Sequence, residues 1–147
     1  MLKGIDPILS AQLVYLMMQM GHGDEIAIVD ANFPAQSSAL ATASGQLVDM
    51  PGMDAPALVN AMLKHFPLDE FYDCCAWRME IDNSPGEMGE VHKTVFAMLE
   101  IAKPDVAQLC SLERQNFYEQ ARNCYAVVRT GEMRPFGCFI LRKGVIF

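Results

Sequence analysis

No apolar run in this 147-residue chain approaches the ~18–20 residues that span a bilayer, so no membrane segment is expected. The chain also opens without the charged start, long apolar stretch and small-residue cleavage site of a secretory leader, and no signal peptide is expected. Positive charge is scarce. Eleven Lys and Arg stand against 18 Asp and Glu, for a net charge of −7. The basic residues form no stripe, which argues against nucleic acid as a partner. Five cysteines are an odd number, Cys74 and Cys75 are adjacent, and no CxxC spacing occurs. Neither a disulfide framework nor a zinc knuckle is supported, and the expectation is reduced thiols packed in a cytosolic protein. His22, Asp24, Asp30, His65 and His92 include no pair at helical i, i+4 spacing, so no metal site is expected. The Gly-x-Ser-x-Gly elbow of a serine hydrolase is missing. Gly21-His22-Gly23-Asp24 follows a helix and precedes a strand, the reverse of a dinucleotide-binding loop. Internal repeats and low-complexity segments are also lacking.

What the chain does have is apolar residues, 52% of the total with 11 methionines. Such an excess in one short domain points to burial between subunits. Ser10 reads as the N-cap of a helix carrying Leu13, Leu16, Met17 and Met20, stopped at Gly21. Ile26-Ala27-Ile28-Val29 reads as a buried strand. The small polar stretch from Pro34 to Gly45 reads as a loop or an irregular excursion, and Leu47-Val48-Asp49 as a possible second strand. Asp54 caps a helix with Pro56 in its first turn and Leu58, Val59, Met62 and Leu63 on its apolar face. A strand is expected within residues 71–79, a loop at 83–86, and a helix through Val91, Val95, Met98 and Leu99. A short strand within 106–112 and a helix bearing Phe117, Tyr118 and Ala121 come next. Two closing strands, 125–128 and 139–141, lie around the turn Thr130-Gly131-Glu132, and this last pair could be antiparallel. Alternating helices and strands predict one α/β domain over residues 1–147, a three-layer α/β/α sandwich on a largely parallel sheet.

The densest chemistry lies in residues 21–34. His22 sits between two glycines just before the first strand, and Asp30 just after it. An imidazole titrating near neutral pH suits proton exchange, although a locally hydrogen-bonded loop histidine would look the same. An acid at the carboxyl end of a strand is well placed for a ligand, or for an Asx-turn or helix cap. Arg114 and Tyr118 are one helical turn apart and so share a face. Together they suit a polyhydroxylated ligand, or are a surface arginine beside a core tyrosine. Because a strand separates His22 from Asp30, a pocket using both is expected to borrow residues from a neighbouring subunit.

The sequence Gly-His-Gly-Asp-Glu-Ile followed by Asp30-Ala31-Asn32-Phe33-Pro34 resembles the signature of the ribose-pyranase and fucose-mutarotase family. The resemblance starts at Met1-Leu2-Lys3-Gly4-Ile5 and takes in Arg114-Gln115-Asn116-Phe117-Tyr118-Glu119. It extends through Tyr125-Ala126-Val127-Val128 and Thr130-Gly131-Glu132 to Ile140-Leu141-Arg142-Lys143-Gly144-Val145. The Phe-Tyr-Glu segment and the Thr-Gly-Glu turn favour the fucose branch. The resemblance implies a cytoplasmic mutarotase that interconverts sugar anomers without cofactor or metal, with a monosaccharide as substrate. It also implies self-assembly into a ring, commonly a decamer, with sites at subunit interfaces. On the same resemblance His22 is the proton donor, and Asp30 and Arg114 contact the sugar, with Tyr118 beside them. The remaining contacts fall on Phe136-Gly137-Cys138, where the family carries Tyr-Gly-Asn. These changes leave open a sugar-binding protein without catalysis, and the same acid–base steps would also serve ribopyranose-to-ribofuranose exchange.

Overall fold

The computed structural model describes residues 2–147, so Met1, the first residue of the N-terminal family motif, lies outside the described residues. The elements run α1 (Ala11–Gln19), β1 (Glu25–Val29), α2 (Ala35–Ala41), β2 (Leu47–Met50), α3 (Ala55–Leu63), β3 (Cys74–Met79), α4 (Glu90–Ala102), β4 (Gln108–Leu112), α5 (Arg114–Asn123), β5 (Ala126–Thr130) and β6 (Phe139–Arg142). The strands form one six-stranded sheet in the order β2-β5-β1-β6-β3-β4. Every pairing is parallel except those of β6, which runs antiparallel between β1 and β3.

Residue alternation along β1 builds the layers. Ile26 and Ile28 face one side with Leu13 and Leu16 of α1, Leu58 and Met62 of α3, and Val95 and Leu99 of α4. Ala27 and Val29 face the other with Ala35 and Ala39 of α2 and Phe117 and Ala121 of α5. The outcome is the expected α/β/α sandwich on a mostly parallel sheet. Each fully buried Leu or Phe contributes about 1.5–3 kcal/mol by leaving water. No helix among the described residues is long and apolar enough to cross a membrane.

Three local expectations are corrected. Residues 34–45 are not simply a loop, because Ala35–Ala41 is helical. Its small side chains carry little hydrophobic pattern, yet Ala35, Ser38 and Ala39 fall on one buried face. Small residues let this helix lie close against its neighbours on that side of the sheet, so packing overrides composition. The closing strands run in opposite directions but are not a hairpin, since β1 lies between β5 and β6. The connection from 131 to 138 therefore crosses the carboxyl end of β1. Not all the cysteines are reduced: Cys74 and Cys110 form a disulfide between β3 and β4. Pairing of these two strands across 36 residues sets their Cα atoms 6.0 Å apart, within the range a disulfide bridges. Sequence spacing carries no trace of that proximity. Cys75, Cys124 and Cys138 are free and buried, as expected of packed thiols.

Candidate functional site

The residues singled out in the sequence divide between the two ends of β1. At about 3.3 Å per residue this five-residue strand is about 15 Å long, so His22 and Asp30 do not meet within one chain.

At the amino end, Lys143 Nζ donates to the carbonyls of Met17 and Met20 and satisfies the last turn of α1. The turn at 21–24 is closed by the Gly21 N–H on Asp24 Oδ2, 2.7 Å, and by the Gly23 N–H on the Lys143 carbonyl, 2.9 Å. Gly23 takes φ +84°, a backbone conformation that residues with a side chain rarely adopt, and it lies beside the Tyr72 ring. His22 projects from this turn with 39% of its side chain exposed. Its Nε2 lies 2.8 Å from Oδ1 of Asp69, which is fully buried. The other Asp69 oxygen accepts the N–H groups of Phe71 and Tyr72, at 3.1 and 2.8 Å. The carboxylate thus shapes residues 69–72 and orients the imidazole at once. Phe71 packs edge-on against His22, with ring centroids 4.9 Å apart, and both Phe71 and Tyr72 are more than half exposed. Arg142 lies across Tyr72 and Trp77, 4.4 and 4.7 Å from their ring centroids, and is paired with Glu25. Asp69 is the main residue that sequence reasoning missed here. It is 47 positions from His22, and no local pattern could have joined them.

At the carboxyl end lies a pocket of about 200 Å³ lined by Asp30, Asn32, Phe33, Met79, Arg114, Tyr118, Pro135 and Phe136. Of the residues expected at the site, Asp30, Arg114, Tyr118 and Phe136 are brought together here. Asp30 Oδ1 accepts the Asn32 N–H at 3.0 Å, so the carboxylate that lines the pocket also forms an Asx-turn. Phe33, from the same turn, meets the rings of Phe117 and Tyr118 edge-on. Arg114, in the first turn of α5, donates to Asp82 at 3.0 Å and lies 6.0 Å from the Tyr118 ring centroid. Asp82 and then Tyr118 raise its pKa further, so it is always a cation.

The far wall is the 131–138 connection, held from several sides. Thr130 Oγ1 donates to the Val29 carbonyl, and the Glu132 N–H donates to Thr130 Oγ1. Burial would raise the pKa of Glu132, but the Arg134 guanidinium and N–H, with the Ala55 N–H, hold it below the usual carboxylate value. The Thr-Gly-Glu turn flagged in the sequence is thus a brace for this wall. Phe136 adopts φ +60°, unusual for a bulky residue. Its carbonyl accepts Nε2–H of the fully buried His92 at 2.8 Å, while His92 Nδ1 accepts the Gly89 N–H. Those bonds assign a neutral tautomer, and burial, with Arg78 nearby, lowers the His92 pKa despite the Phe136 carbonyl. Gly137 has no room for a side chain, since a Cβ there would lie 2.6 Å from Glu132 Cγ. Cys138 is fully buried behind Asp30 and does not line the pocket.

A mixed α/β sandwich with an amphipathic, sugar-sized cleft at a strand end and an oriented imidazole at the other end defines a small-molecule-binding α/β protein. Residues 3–146 match the RbsD / FucU transport protein family, and the chain belongs to that family. It is 39% identical over 147 residues to the fucose mutarotase of Homo sapiens, covering 99% of this chain and 94% of that protein. It is 35% identical over 145 residues to the L-fucose mutarotase of Haemophilus influenzae (strain 86-028NP), covering 99% and 97%. The crystal structure of the fucose mutarotase in complex with L-fucose from Streptococcus pneumoniae superposes with a TM-score of 0.88 at 33% identity, covering 99% of this chain and all of that one.

Proposed function

We propose that this protein is a mutarotase that interconverts the α and β anomers of L-fucose or a closely related monosaccharide. The observation that carries the reading is an accessible imidazole whose ring is oriented by a buried carboxylate, His22 on Asp69. Anomer exchange needs the ring opened. A proton leaves the anomeric hydroxyl, another reaches the ring oxygen, the C1–C2 bond rotates, and the ring recloses. Water does this slowly, and general acid–base help of about 10²–10⁴-fold suffices. In this reading His22 is the proton donor, and its contact with Asp69 fixes which ring nitrogen faces the sugar. Asp30 accepts sugar hydroxyls, Arg114 donates to them, and Tyr118 and Phe136 cover the less polar edge. Gly137 lets the 131–138 wall close up, and Cys138 stands behind Asp30. The chemistry itself calls for neither metal nor nucleotide.

Because His22 and Asp30 lie at opposite ends of β1, the complete site in this reading joins His22 of one copy to the Asp30 pocket of another. A ring-shaped homo-oligomer, a decamer, supplies that arrangement. Exposed Leu2, Tyr15, Met18, Phe71, Tyr72 and Ile146 support contact between copies. Sedimentation is expected to give about ten times the 16.3 kDa chain mass; a monomer that still catalyses exchange rules out the shared site. The same reading makes the enzyme cytoplasmic, which cell fractionation checks. The decisive experiment is exchange NMR on a panel of sugars. Saturation transfer between the anomers of L-fucose is the expected result. Exchange only between the ring forms of D-ribose would reassign the substrate, and line broadening without exchange would make this a sugar-binding protein.

A further inference from the structure

We infer that Cys138 is a positioning residue: its thiol bonds the Asp30 carboxylate and holds it in the orientation that meets the sugar. The inference rests on the reading of Asp30 as a sugar contact. Cys138 lies just ahead of β6, where β6 pairs antiparallel with β1, so it faces the end of β1. Two contacts join the residues. The Cys138 thiol donates to Asp30 Oδ2 and the Asp30 N–H donates to Cys138 Sγ, each at 3.4 Å. With the Asn32 N–H on Oδ1, both carboxylate oxygens of Asp30 are held, one from its own turn and one from across the sheet.

The backbone of Cys138 ties the same spot to the rest of the pocket. Its N–H donates to the Phe136 carbonyl at 2.7 Å, and its carbonyl accepts the Met79 N–H at 3.0 Å. Asp30, Met79 and Phe136 all line the pocket, and all three are bonded to this one residue, which is itself fully shielded from solvent. Burial, with the Asp30 charge beside it, pushes the thiol well above its usual pKa. It therefore stays protonated and acts as a hydrogen-bond donor rather than a nucleophile. Freed from this donor, the carboxylate would rotate within its turn, and the loss would fall on binding rather than on proton transfer.

The test compares Cys138→Ala and Cys138→Val, which remove the donor, with Cys138→Ser, which keeps one, using L-fucose as the probe. The expected result is a KM about tenfold higher in the Ala and Val variants with kcat within about twofold, and recovery to within about threefold in the Ser variant. A purely structural role would instead show as lower stability in the Ala and Val variants with KM unchanged. If Ala and Val match the wild type, or if Ser is as impaired as they are, the inference is overturned. Should the Ala variant fail to fold, the Val and Ser pair decides. Asp30→Asn separates the two levels: unchanged binding there sinks the reading of the pocket itself, whereas a crippled Asp30→Asn beside an unimpaired Cys138→Val sinks only the role of Cys138.

Discussion

The two ends of β1 are built on opposite plans. At the amino end one side chain, His22, stands partly in solvent, oriented by a single buried carboxylate and flanked by exposed aromatics. At the carboxyl end a walled pocket collects charged, polar and aromatic side chains from the turn after β1, from β3 and α5, and from the 131–138 connection. One end has an exposed imidazole without walls, and the other has walls that no imidazole lines. The difference is the reason the proposed site joins the two ends from different copies. It also separates the expected effects of mutation: changes at the first end should act on rate, and those at the second on affinity.

The sharpest way to break this comparison is His22→Gln. The substitution keeps a polar group near Asp69 and removes the imidazole, so L-fucose exchange should fall by about a hundredfold or more with the fold intact. Saturation-transfer NMR and circular dichroism read both. Undiminished exchange would take the proton-donor role from this end altogether. Next in size is reduction of Cys74–Cys110. Opening a loop of 36 residues' separation should cost about 2–4 kcal/mol of stability, measured by urea unfolding with and without dithiothreitol. Cys74 also belongs to the amino end, because its carbonyl accepts from Arg142, which lies over Tyr72. Amide exchange on reduction should therefore rise around residues 69–75 before it rises around Asp30. Arg114→Ala should weaken L-fucose binding about tenfold with kcat nearly unchanged, and Arg114→Lys should recover only part of it. Titration by NMR checks this, and a loss confined to kcat would erase the division between the ends.

The smallest effect is a pH dependence at the carboxyl end. The pKa of His92 is lowered in the fold, chiefly by burial, so the unfolded chain binds the extra proton more readily. The stability that the neutral ring contributes is present above about pH 6.5 and is lost as pH falls below that value. Melting temperature should drop by about 3–5 °C per pH unit in that window. His92→Gln should flatten the slope, and an unchanged slope in that variant would show that another group is responsible.

Much of this molecule is legible in its sequence. The apolar run at residues 26–29, the Ser10 and Asp54 caps and the four-residue step from Arg114 to Tyr118 are local patterns. Helix and strand periodicity impose such patterns on any chain that must bury one face, so sequence alone determined the α/β class, most element positions, and the separation of His22 from Asp30. It did not reach α2, whose alanines and serines carry almost no hydrophobic signal. Nor did it reach the partners of the key side chains: Asp69 for His22, Cys138 for Asp30, His92 for Phe136, Cys110 for Cys74. Each of these pairs joins residues 36 or more positions apart. Strand order decides such pairings, above all the insertion of β6 between β1 and β3. A sheet can be assembled in several orders that bury the same apolar faces, so periodicity specifies which side chains point inward and leaves to the tertiary structure which of them meet.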